Sequence, residues 1–181
     1  MIVKKKIIKS DFFDRSSVLV AKELLGKYLV RRIGDNKIIS KIMETEAYEG
    51  LDDKASHASR GQTLRNKPMF EESATIYVYF TYGMHWMLNI VCGKKGHPAA
   101  VLIRGLEDCI GPGRLTKKLL INKTLNGKTL GKKSGLWIEE HDTNTRIKTN
   151  DTNKKIIKTA RIGVNYAGST WSKKLYRFVL R

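Results

Sequence analysis

The sequence predicts a mixed α/β fold of the α+β class, in which helices lie at the periphery of one sheet. Segments that favour strands outnumber segments that favour helices, and no β-α-β alternation of the kind that builds parallel sheets is present. The chain has 181 residues, 41% of them hydrophobic, which suits one domain with its own core. We therefore expect residues 1–181 to form a single domain around a mixed or antiparallel sheet.

The N-terminal half predicts one helix followed by a β-hairpin. Apolar residues at helical spacing fill residues 16–25, which a serine can cap and which Gly26 follows. Strands are expected at 27–33 and 37–48, because residues 34–36, Gly-Asp-Asn, favour a hairpin turn between them. Further strands are predicted at 75–80, 86–92 and 99–106.

The C-terminal half alternates short elements with polar segments. Residues 111–113, Gly-Pro-Gly, predict a turn, and residues 114–122 predict a helix after it. Residues 123–133 and 141–155 are polar and basic, and we expect surface loops there, the first of them mobile. Short strands that would complete the sheet are expected at 136–140, 156–163 and 176–180.

Charge is the strongest compositional signal, because 35 basic and 17 acidic residues give a formal net charge of +18. Such an excess attracts nucleic acid, whose binding then depends on salt through counterion release. Binding to an anionic membrane surface or a lysine-rich proteome would also account for the excess of positive charge. The N-terminus lacks the apolar core of a signal peptide, and no stretch approaches the ~18 apolar residues of a membrane span.

Cysteine and histidine usage favours a reduced, intracellular protein without a metal centre. Cys92 and Cys109 are too few for a disulfide framework and belong to no Cys-x-x-Cys pair. His85, His97 and His141 form no zinc-ligand spacing with them, so we expect these histidines to be structural or surface residues. Neither a phosphate-binding nor a dinucleotide-binding glycine pattern occurs.

Residues 43–48, with the sequence METEAY, alternate strictly between apolar or small and larger polar side chains. In a strand, residues i, i+2 and i+4 share a face, so Glu44, Glu46 and Tyr48 point the same way. The pattern has two interpretations. It is either a solvent-exposed strand face or a carboxylate base in a pocket beside an aromatic wall.

A polar loop and a tyrosine-rich strand follow. Residues 55–70 are rich in small, polar and basic side chains, which is typical of a functional surface loop. Tyr77 and Tyr79 then share a strand face, whereas Tyr82 falls where Gly83 indicates a turn. Clustered tyrosines commonly reflect sheet packing. On a very basic protein, a tyrosine at a turn can also insert into a base stack.

Motifs spread over nearly the whole chain carry a resemblance to a known family. They are Glu44-Thr45-Glu46-Ala47-Tyr48, His57, Arg65-Asn66, Met69-Phe70, Tyr77-Val78-Tyr79, Tyr82-Gly83-Met84, Asn89, Val101-Leu102-Ile103-Arg104, Gly111-Pro112-Gly113, Arg161-Ile162-Gly163 and Leu175-Tyr176-Arg177-Phe178. Together these motifs resemble those of the alkyladenine (3-methyladenine) DNA glycosylase family. They are specific to that family rather than generic.

The resemblance implies a role for each matched site residue. Glu46 matches the carboxylate that activates the hydrolytic water, and Arg104 matches the arginine that helps to hold both. The other matches are Tyr48, His57 and Tyr79 as walls around a flipped base, Asn89 at the pocket floor, and Tyr82 as the side chain inserted into the duplex. The family fold is a curved, mainly antiparallel sheet without a helix-hairpin-helix, and the resemblance implies no metal and no cofactor.

The activity implied is that of a monofunctional DNA glycosylase of base excision repair. Its partner would be double-stranded DNA with damaged purines: 3-methyladenine, 7-methylguanine, and further candidates in hypoxanthine and ethenoadenine. A monomer is expected, in the cytoplasm at the nucleoid if bacterial and in the nucleus if eukaryotic.

The residue types suit this chemistry. A carboxylate stabilises an oxocarbenium-like sugar and takes a proton from the attacking water. An alkylated purine already carries positive charge, so one base such as Glu46 suffices, with Glu44 as its rival. A lyase would need an amine nucleophile, and no lysine lies in the matched pocket segments.

Two other classes of protein account for part of the pattern. A small RNA-binding or ribosomal protein explains the charge and the tyrosines, but not a carboxylate beside Tyr48. An enzyme acting on a free nucleoside explains Glu46, but neither the charge nor Tyr82. Departures from vertebrate members, at His85 and at the turn 92–97, leave the substrate range open, and the amides at 111–113 remain a candidate phosphate contact.

Overall fold

A computed structural model of the chain describes residues 4–142 and 155–181. Within these ranges the strands are β1 Lys4–Ile7, β2 Tyr28–Ile33, β3 Asn36–Glu49, β4 Ile76–Thr81, β5 His85–Cys92, β6 Ala99–Leu106, β7 Cys109–Ile110, β8 Leu136–Asp142, β9 Ile156–Thr159 and β10 Arg177–Leu180. The α-helices are α1 Ser17–Leu24, α2 Pro112–Lys118 and α3 Gly168–Ser172, and short 3-10 helices are found at Ser10–Phe13, Lys67–Phe70, Lys123–Leu125 and Asn165–Ala167.

The strands form one sheet in the order β1-β8-β2-β3-β6-β5-β4, and every neighbouring pair is antiparallel. Strand β10 joins β3 to β9, and the two-residue β7 pairs with β6. The architecture confirms the α+β class with a mainly antiparallel sheet. No helix in the described ranges is long and apolar enough to cross a membrane.

Strand β3 is the central strand because it changes partners along its length. Its first part pairs with β2, whereas its second part lies between β6 and β10. The pairing with β6 shifts register between Ile42 and Thr45, which marks a β-bulge. Bulges bend a strand and re-aim its side chains, and this one directly precedes Glu46.

Helix α1 covers one face of β3. Ser16 caps it, since its Oγ accepts a hydrogen bond from the Val18 N–H, and its inner face buries Val20, Ala21 and Leu24. Thr45 Oγ donates to the Ala21 carbonyl at 2.8 Å, so Thr45 points toward this helix. The neighbouring Glu44 and Glu46 must therefore point to the opposite face, as the alternation predicts.

Several element boundaries differ from the sequence-based prediction. The β2–β3 turn is shorter than expected, because Asn36 already pairs with Ile33. Helix α2 begins two residues early, at Pro112, and ends four residues before 122, and the chain then turns at Leu120, whose φ of 48° is left-handed. Strand β9 ends at Thr159 instead of 163.

The segment 123–133 is largely exposed, as expected for a surface loop, but part of it is hydrogen-bonded to strand β4. Leu125 is buried, and Asn126 Oδ1 accepts a hydrogen bond from the Val78 N–H at 2.9 Å. The backbones of Gly127 and Lys128 also hydrogen-bond to Ile76. The second expected loop, at 141–155, begins in β8, and residues 143–154 lie outside the described residues.

Candidate active site

A cavity of about 340 Å³ opens beside strands β4, β5 and β6. It brings together six of the seven predicted site residues as lining: Tyr48, His57, Tyr79, Tyr82, Asn89 and Arg104. The seventh, Glu46, is 0% exposed and lies directly behind the lining. A volume of this size lies within the range of small-molecule pockets, about 300–1,000 Å³.

Both carboxylate oxygens of Glu46 are held by hydrogen bonds. Oε1 accepts from the Ile162 N–H at 2.8 Å, and Oε2 accepts from the Tyr48 hydroxyl at 2.9 Å. Arg104 Nη1 lies 3.4 Å from Oε2. Burial raises the pKa of Glu46, while the Arg104 charge, the Ile162 amide and the Tyr48 hydroxyl oppose that rise. Glu46 therefore has a raised pKa and a carboxylate of fixed orientation.

Glu44 shares the face of Glu46 and one partner, Arg104, with it. Its Oε1 accepts from Arg104 Nε at 3.0 Å and from Arg177 Nε at 2.6 Å, and the residue is 8% exposed. It does not belong to the cavity lining. Glu44 therefore anchors the Arg104 guanidinium, which in turn reaches Glu46. A larger residue than Gly105 would crowd this anchor, because a Cβ there would lie 3.1 Å from Glu44 Cβ.

The aromatic side of the cavity is a packed group of rings. The His57 and Tyr79 rings meet edge to face with centroids 4.4 Å apart, and His57 Nδ1 lies 3.0 Å from the Tyr77 hydroxyl. Burial and the nearby Arg65 lower the pKa of His57, which favours the neutral imidazole. Burial raises the pKa of Tyr79 to about 12, which keeps its phenol protonated.

The loop that carries His57 is held by hydrogen bonds from a buried asparagine, Asn66. Asn66 Nδ2 donates to the carbonyls of His57 and Gly61, both at 2.9 Å, and its Oδ1 accepts from the Thr63 N–H. The next residue toward the N-terminus, Arg65, donates to the Phe80 carbonyl. These bonds tie the loop to the end of strand β4.

Asn89 and Tyr82 lie on the same β4–β5 hairpin but in different parts of it. Asn89 lies within strand β5, and Tyr82 lies in the turn between the two strands. Asn89 is 3% exposed, faces Tyr77 across the two strands, and donates from Nδ2 to the Tyr77 carbonyl at 3.2 Å. Tyr82 lies in the turn and is 79% exposed. Its φ of 52° is in the left-handed region, which is unusual for a bulky residue, and Gly83 follows with φ 65°.

Sequence reasoning assigned no role to three residues next to Glu46. Ile162 was part of a matched motif, yet only the fold shows its amide bonded to the carboxylate. Arg161 and Asp53 form a buried ion pair between positions 108 residues apart. Asp53 belongs to no motif, so only its burial and its contact with Arg161 in the fold reveal it.

The remaining histidines have structural contacts, as expected. His97 Nε2 lies 3.1 Å from Glu49, and His141 stacks on Tyr28 with ring centroids 3.9 Å apart. His85 packs against the start of α2, where a Cβ on Gly113 would lie 2.7 Å from its ring. Across the described ranges, no three His, Cys, Asp or Glu residues are grouped so as to hold a metal ion.

The pocket has aromatic walls, and a buried glutamate lies directly behind its lining, at its closed end; this combination suits an enzyme that handles a flat ring. Such an arrangement can hold the ring against aromatic side chains and can place a carboxylate beside it as a base.

Comparison with known proteins identifies the family. The family model for methylpurine-DNA glycosylase matches residues 11–110 and 107–181. A protein of Legionella pneumophila (strain Paris) is 42% identical over 98% of this chain and 95% of its own length. Proteins of Methanocella arvoryzae and Borreliella burgdorferi are 39% and 38% identical over 90% and 94% of this chain, and over 86% and 94% of their own lengths. The assigned names of all three are those of 3-methyladenine DNA glycosylases.

The chain therefore belongs to the methylpurine-DNA glycosylase family, which confirms the resemblance seen in the sequence. It is a DNA glycosylase, a hydrolase that acts on N-glycosyl bonds, and its substrate is DNA.

Proposed function

We propose that this enzyme removes alkylated or deaminated purines from duplex DNA by simple hydrolysis, with Glu46 as the base. The observation that carries the proposal is the buried Glu46 carboxylate, held at the closed end of the aromatic pocket by Tyr48, Arg104 and the Ile162 amide. The wider substrate range, from 3-methyladenine and 7-methylguanine to hypoxanthine and ethenoadenine, is part of the proposal.

The damaged nucleotide must leave the base stack before the pocket can receive it. Extrusion costs a few kcal/mol, and less for a damaged or mispaired base. Tyr82 is suited to fill the gap because its ring is exposed at the tip of a hairpin that also borders the cavity. Tyr48, His57 and Tyr79 would then restore stacking on the flipped ring.

The pocket favours a cationic purine. Aromatic faces attract positive charge, and the neutral His57 adds none of its own to repel it. Asn89 presents an amide at the floor, where hydrogen bonding to a purine edge would discriminate among bases.

Hydrolysis then requires one proton acceptor. For an alkylated purine, the oxygen of a water forms a bond to C1′ of the sugar, while the C1′–N bond breaks and its electron pair neutralises the positive charge of the departing base. A neutral purine such as hypoxanthine instead leaves with the electron pair as an anion and takes up a proton from solvent. Glu46 takes the proton of the water, and its negative charge stabilises the oxocarbenium-like transition state. Because Glu46 has no exposed surface, the water must reach it between Tyr48 and Arg104.

Simple hydrolysis is favoured over a lyase reaction. The cavity lining in the described part of the chain contains no lysine that could form a Schiff base. The expected monomeric state is part of the proposal. As an enzyme of genomic DNA, it would work at the bacterial nucleoid or in a eukaryotic nucleus.

The test uses duplex oligonucleotides that carry a single hypoxanthine or methylated purine. Alkali after incubation cleaves abasic sites, so release of the lesion yields a strand break, whereas an undamaged duplex stays intact. No break with any lesion would overturn the proposed substrate class. Release of purine from free nucleosides in a parallel reaction would point to a nucleoside enzyme, and a borohydride-trapped protein–DNA adduct would contradict simple hydrolysis.

A further inference from the structure

A buried ion pair outside the cavity touches the groups that surround the Glu46 carboxylate. The two terminal nitrogens of Arg161 donate to the two oxygens of Asp53, and both side chains are 0% exposed. A buried pair of this kind contributes little net stability, because the cost of removing both charges from water offsets their attraction. Its surroundings point to a role in placing the catalytic carboxylate.

Three contacts connect Arg161 to Glu46. Arg161 Nη1 donates to the carbonyl of Ala47, the residue between Glu46 and Tyr48, at 2.8 Å. Its guanidinium carbon lies 4.8 Å from the centre of the Tyr48 ring. The following residue, Ile162, donates its amide to Glu46 Oε1 at 2.8 Å.

Asp53 is itself fixed by the backbone. Its Oδ2 accepts from the Glu49 N–H and its Oδ1 accepts from the Ala55 N–H, both at 3.1 Å. The carboxylate is therefore tied to the end of β3 on one side and to the following loop on the other. Arg161 is held by a rigid acceptor rather than by a side chain that could follow it.

The terminal nitrogens of Arg161 are well placed for hydrogen bonds, whereas its Nε has no partner. Its guanidinium lies between the rings of Tyr48 and Tyr176, the second at 5.3 Å. Among the described residues, Arg161 Nε is the buried side-chain nitrogen or oxygen that has no hydrogen-bond partner. Unpaired buried donors are uncommon and costly, which indicates that the position is determined by the terminal nitrogens and the ring stack.

We propose that the Arg161–Asp53 pair positions Glu46. By holding the Ile162 amide and the Tyr48 ring, it keeps one carboxylate oxygen bound to the backbone and the other directed to Arg104 and the cavity. This inference rests on the proposed role of Glu46 as the base. Arg161 and Asp53 are positioning residues, since neither belongs to the cavity lining.

The pair also affects when Glu46 is ionised. A hydrogen bond from the Ile162 N–H stabilises the carboxylate and so lowers the pKa of Glu46. If the amide moves away, that pKa rises, and a larger fraction of Glu46 is protonated at a given acidic pH. The other charged and titratable groups that face Glu46 are Glu44 and Tyr48 on β3, Tyr79 on β4, Arg104 on β6, Arg177 on β10, and Tyr166.

The test compares Arg161→Lys and Asp53→Asn with wild type in single-turnover excision. Lysine keeps the charge, but its single ammonium cannot form the bidentate pair that the two terminal nitrogens of Arg161 make with both Asp53 oxygens, and it has no planar group to lie against the Tyr48 ring. We expect rates about 10–100-fold lower, since small misplacements of a catalytic group cost this much. In Arg161→Lys, which keeps the net charge, the acidic limb of the rate–pH profile should move to higher pH. Affinity for a duplex with a non-hydrolysable abasic analogue should stay within about twofold.

Arg31→Lys is the matched control. Arg31 is a partly buried arginine that donates to the carbonyls of Leu119 and Gly135, away from the cavity. Its variant should lose stability without a change in rate or pH profile. If Arg161→Lys behaves like this control, with a cooperative melt and a wild-type acidic limb, the pair is merely structural and the inference is wrong.

If neither Arg161→Lys nor Asp53→Asn yields folded protein, Tyr176→Leu carries the test, because it uncovers one face of the guanidinium and leaves the ion pair intact. A wild-type acidic limb in that variant would also overturn the inference. The proposed function fails separately: wild type would then release no lesion, or Glu46→Gln would be as active as wild type.

Discussion

The closed end of the pocket and its rim are built in opposite ways. At the closed end, Glu46 is fully buried, and hydrogen bonds hold both of its oxygens. At the rim, Tyr82 is 79% exposed and its backbone has a left-handed φ of 52°. The first region is made rigid by many partners, whereas the second holds a single aromatic side chain out toward solvent.

This difference separates two tasks of a base-excising enzyme. On the proposed roles, groups at the closed end act on the reacting bond, so changes there should alter the rate of hydrolysis at saturating enzyme. Groups at the rim would act on the DNA, so changes there should alter affinity for the lesion duplex. Substitutions that mix the two effects would show that the regions are not independent.

The largest effect is expected from Glu46→Gln. The amide keeps the shape but cannot take the proton of the water, so the single-turnover rate should fall by about 10²–10⁴-fold. Binding to lesion DNA should be largely retained. Glu44→Gln is the matched control and should lose less, because Glu44 reaches the site only through Arg104. An equal or greater loss of rate in Glu44→Gln would mean that Glu46 is not the base.

A smaller effect on rate is expected from Arg104→Gln, together with a shift in pH dependence. Burial already raises the pKa of Glu46, so the wild-type rate should decline on acidification at a higher pH than an ordinary glutamate would give. The Arg104 charge opposes that rise, and removing it should move the acidic limb further upward. Arg104→Lys, which keeps a charge, should move it less. An acidic limb that moves to lower pH would mean that another group controls the rate–pH profile.

Tyr82→Ser should weaken binding to the lesion duplex by about tenfold, since loss of stacking costs ~1–3 kcal/mol per base. Titration of a fluorescent lesion duplex measures the change, and Tyr82→Phe should retain wild-type affinity because the ring alone fills the gap. Unchanged affinity in Tyr82→Ser would remove the insertion role. A loss in Tyr82→Phe would instead assign the effect to the hydroxyl.

The smallest effect concerns stability. Asparagine tolerates the left-handed region better than tyrosine, so Tyr82→Asn should raise the free energy of unfolding by up to about 1 kcal/mol, measured by denaturant titration. This gain would show that Tyr82 lowers the stability of the fold. A less stable variant would mean that the exposed ring contributes packing in the free protein.

Local sequence signals sufficed for the elements whose structure depends on neighbouring residues. The serine-capped helix, the β2–β3 hairpin and the alternation around Glu46 all follow from short-range patterns, and each is present in the structure. The fold class followed from the number of strands and the lack of β-α-β units. The roles of the matched residues came from family resemblance and stay predictions until variants are measured.

Elements that depend on distant partners could not be foreseen. Strand β1 consists largely of lysines and exists because β8 offers an unpaired edge. Residues 123–133 look like a loop by composition, yet β4 supplies hydrogen-bond partners for their backbone. The Arg161–Asp53 pair joins positions 108 residues apart, a contact that no pattern in the sequence can indicate.

The β4–β5 hairpin fixes a length. It carries Tyr79 on one strand, Asn89 on the other and Tyr82 at the tip, and paired residues run without interruption from Ile76–Ile90 to Thr81–His85. On the proposed roles, the hairpin thus keeps a constant distance between the inserted Tyr82 ring and the pocket that receives the base. If a duplex has to deform to match that distance, its deformability would enter recognition before the base is contacted. A lesion in stiff DNA could then escape although its purine fits the pocket.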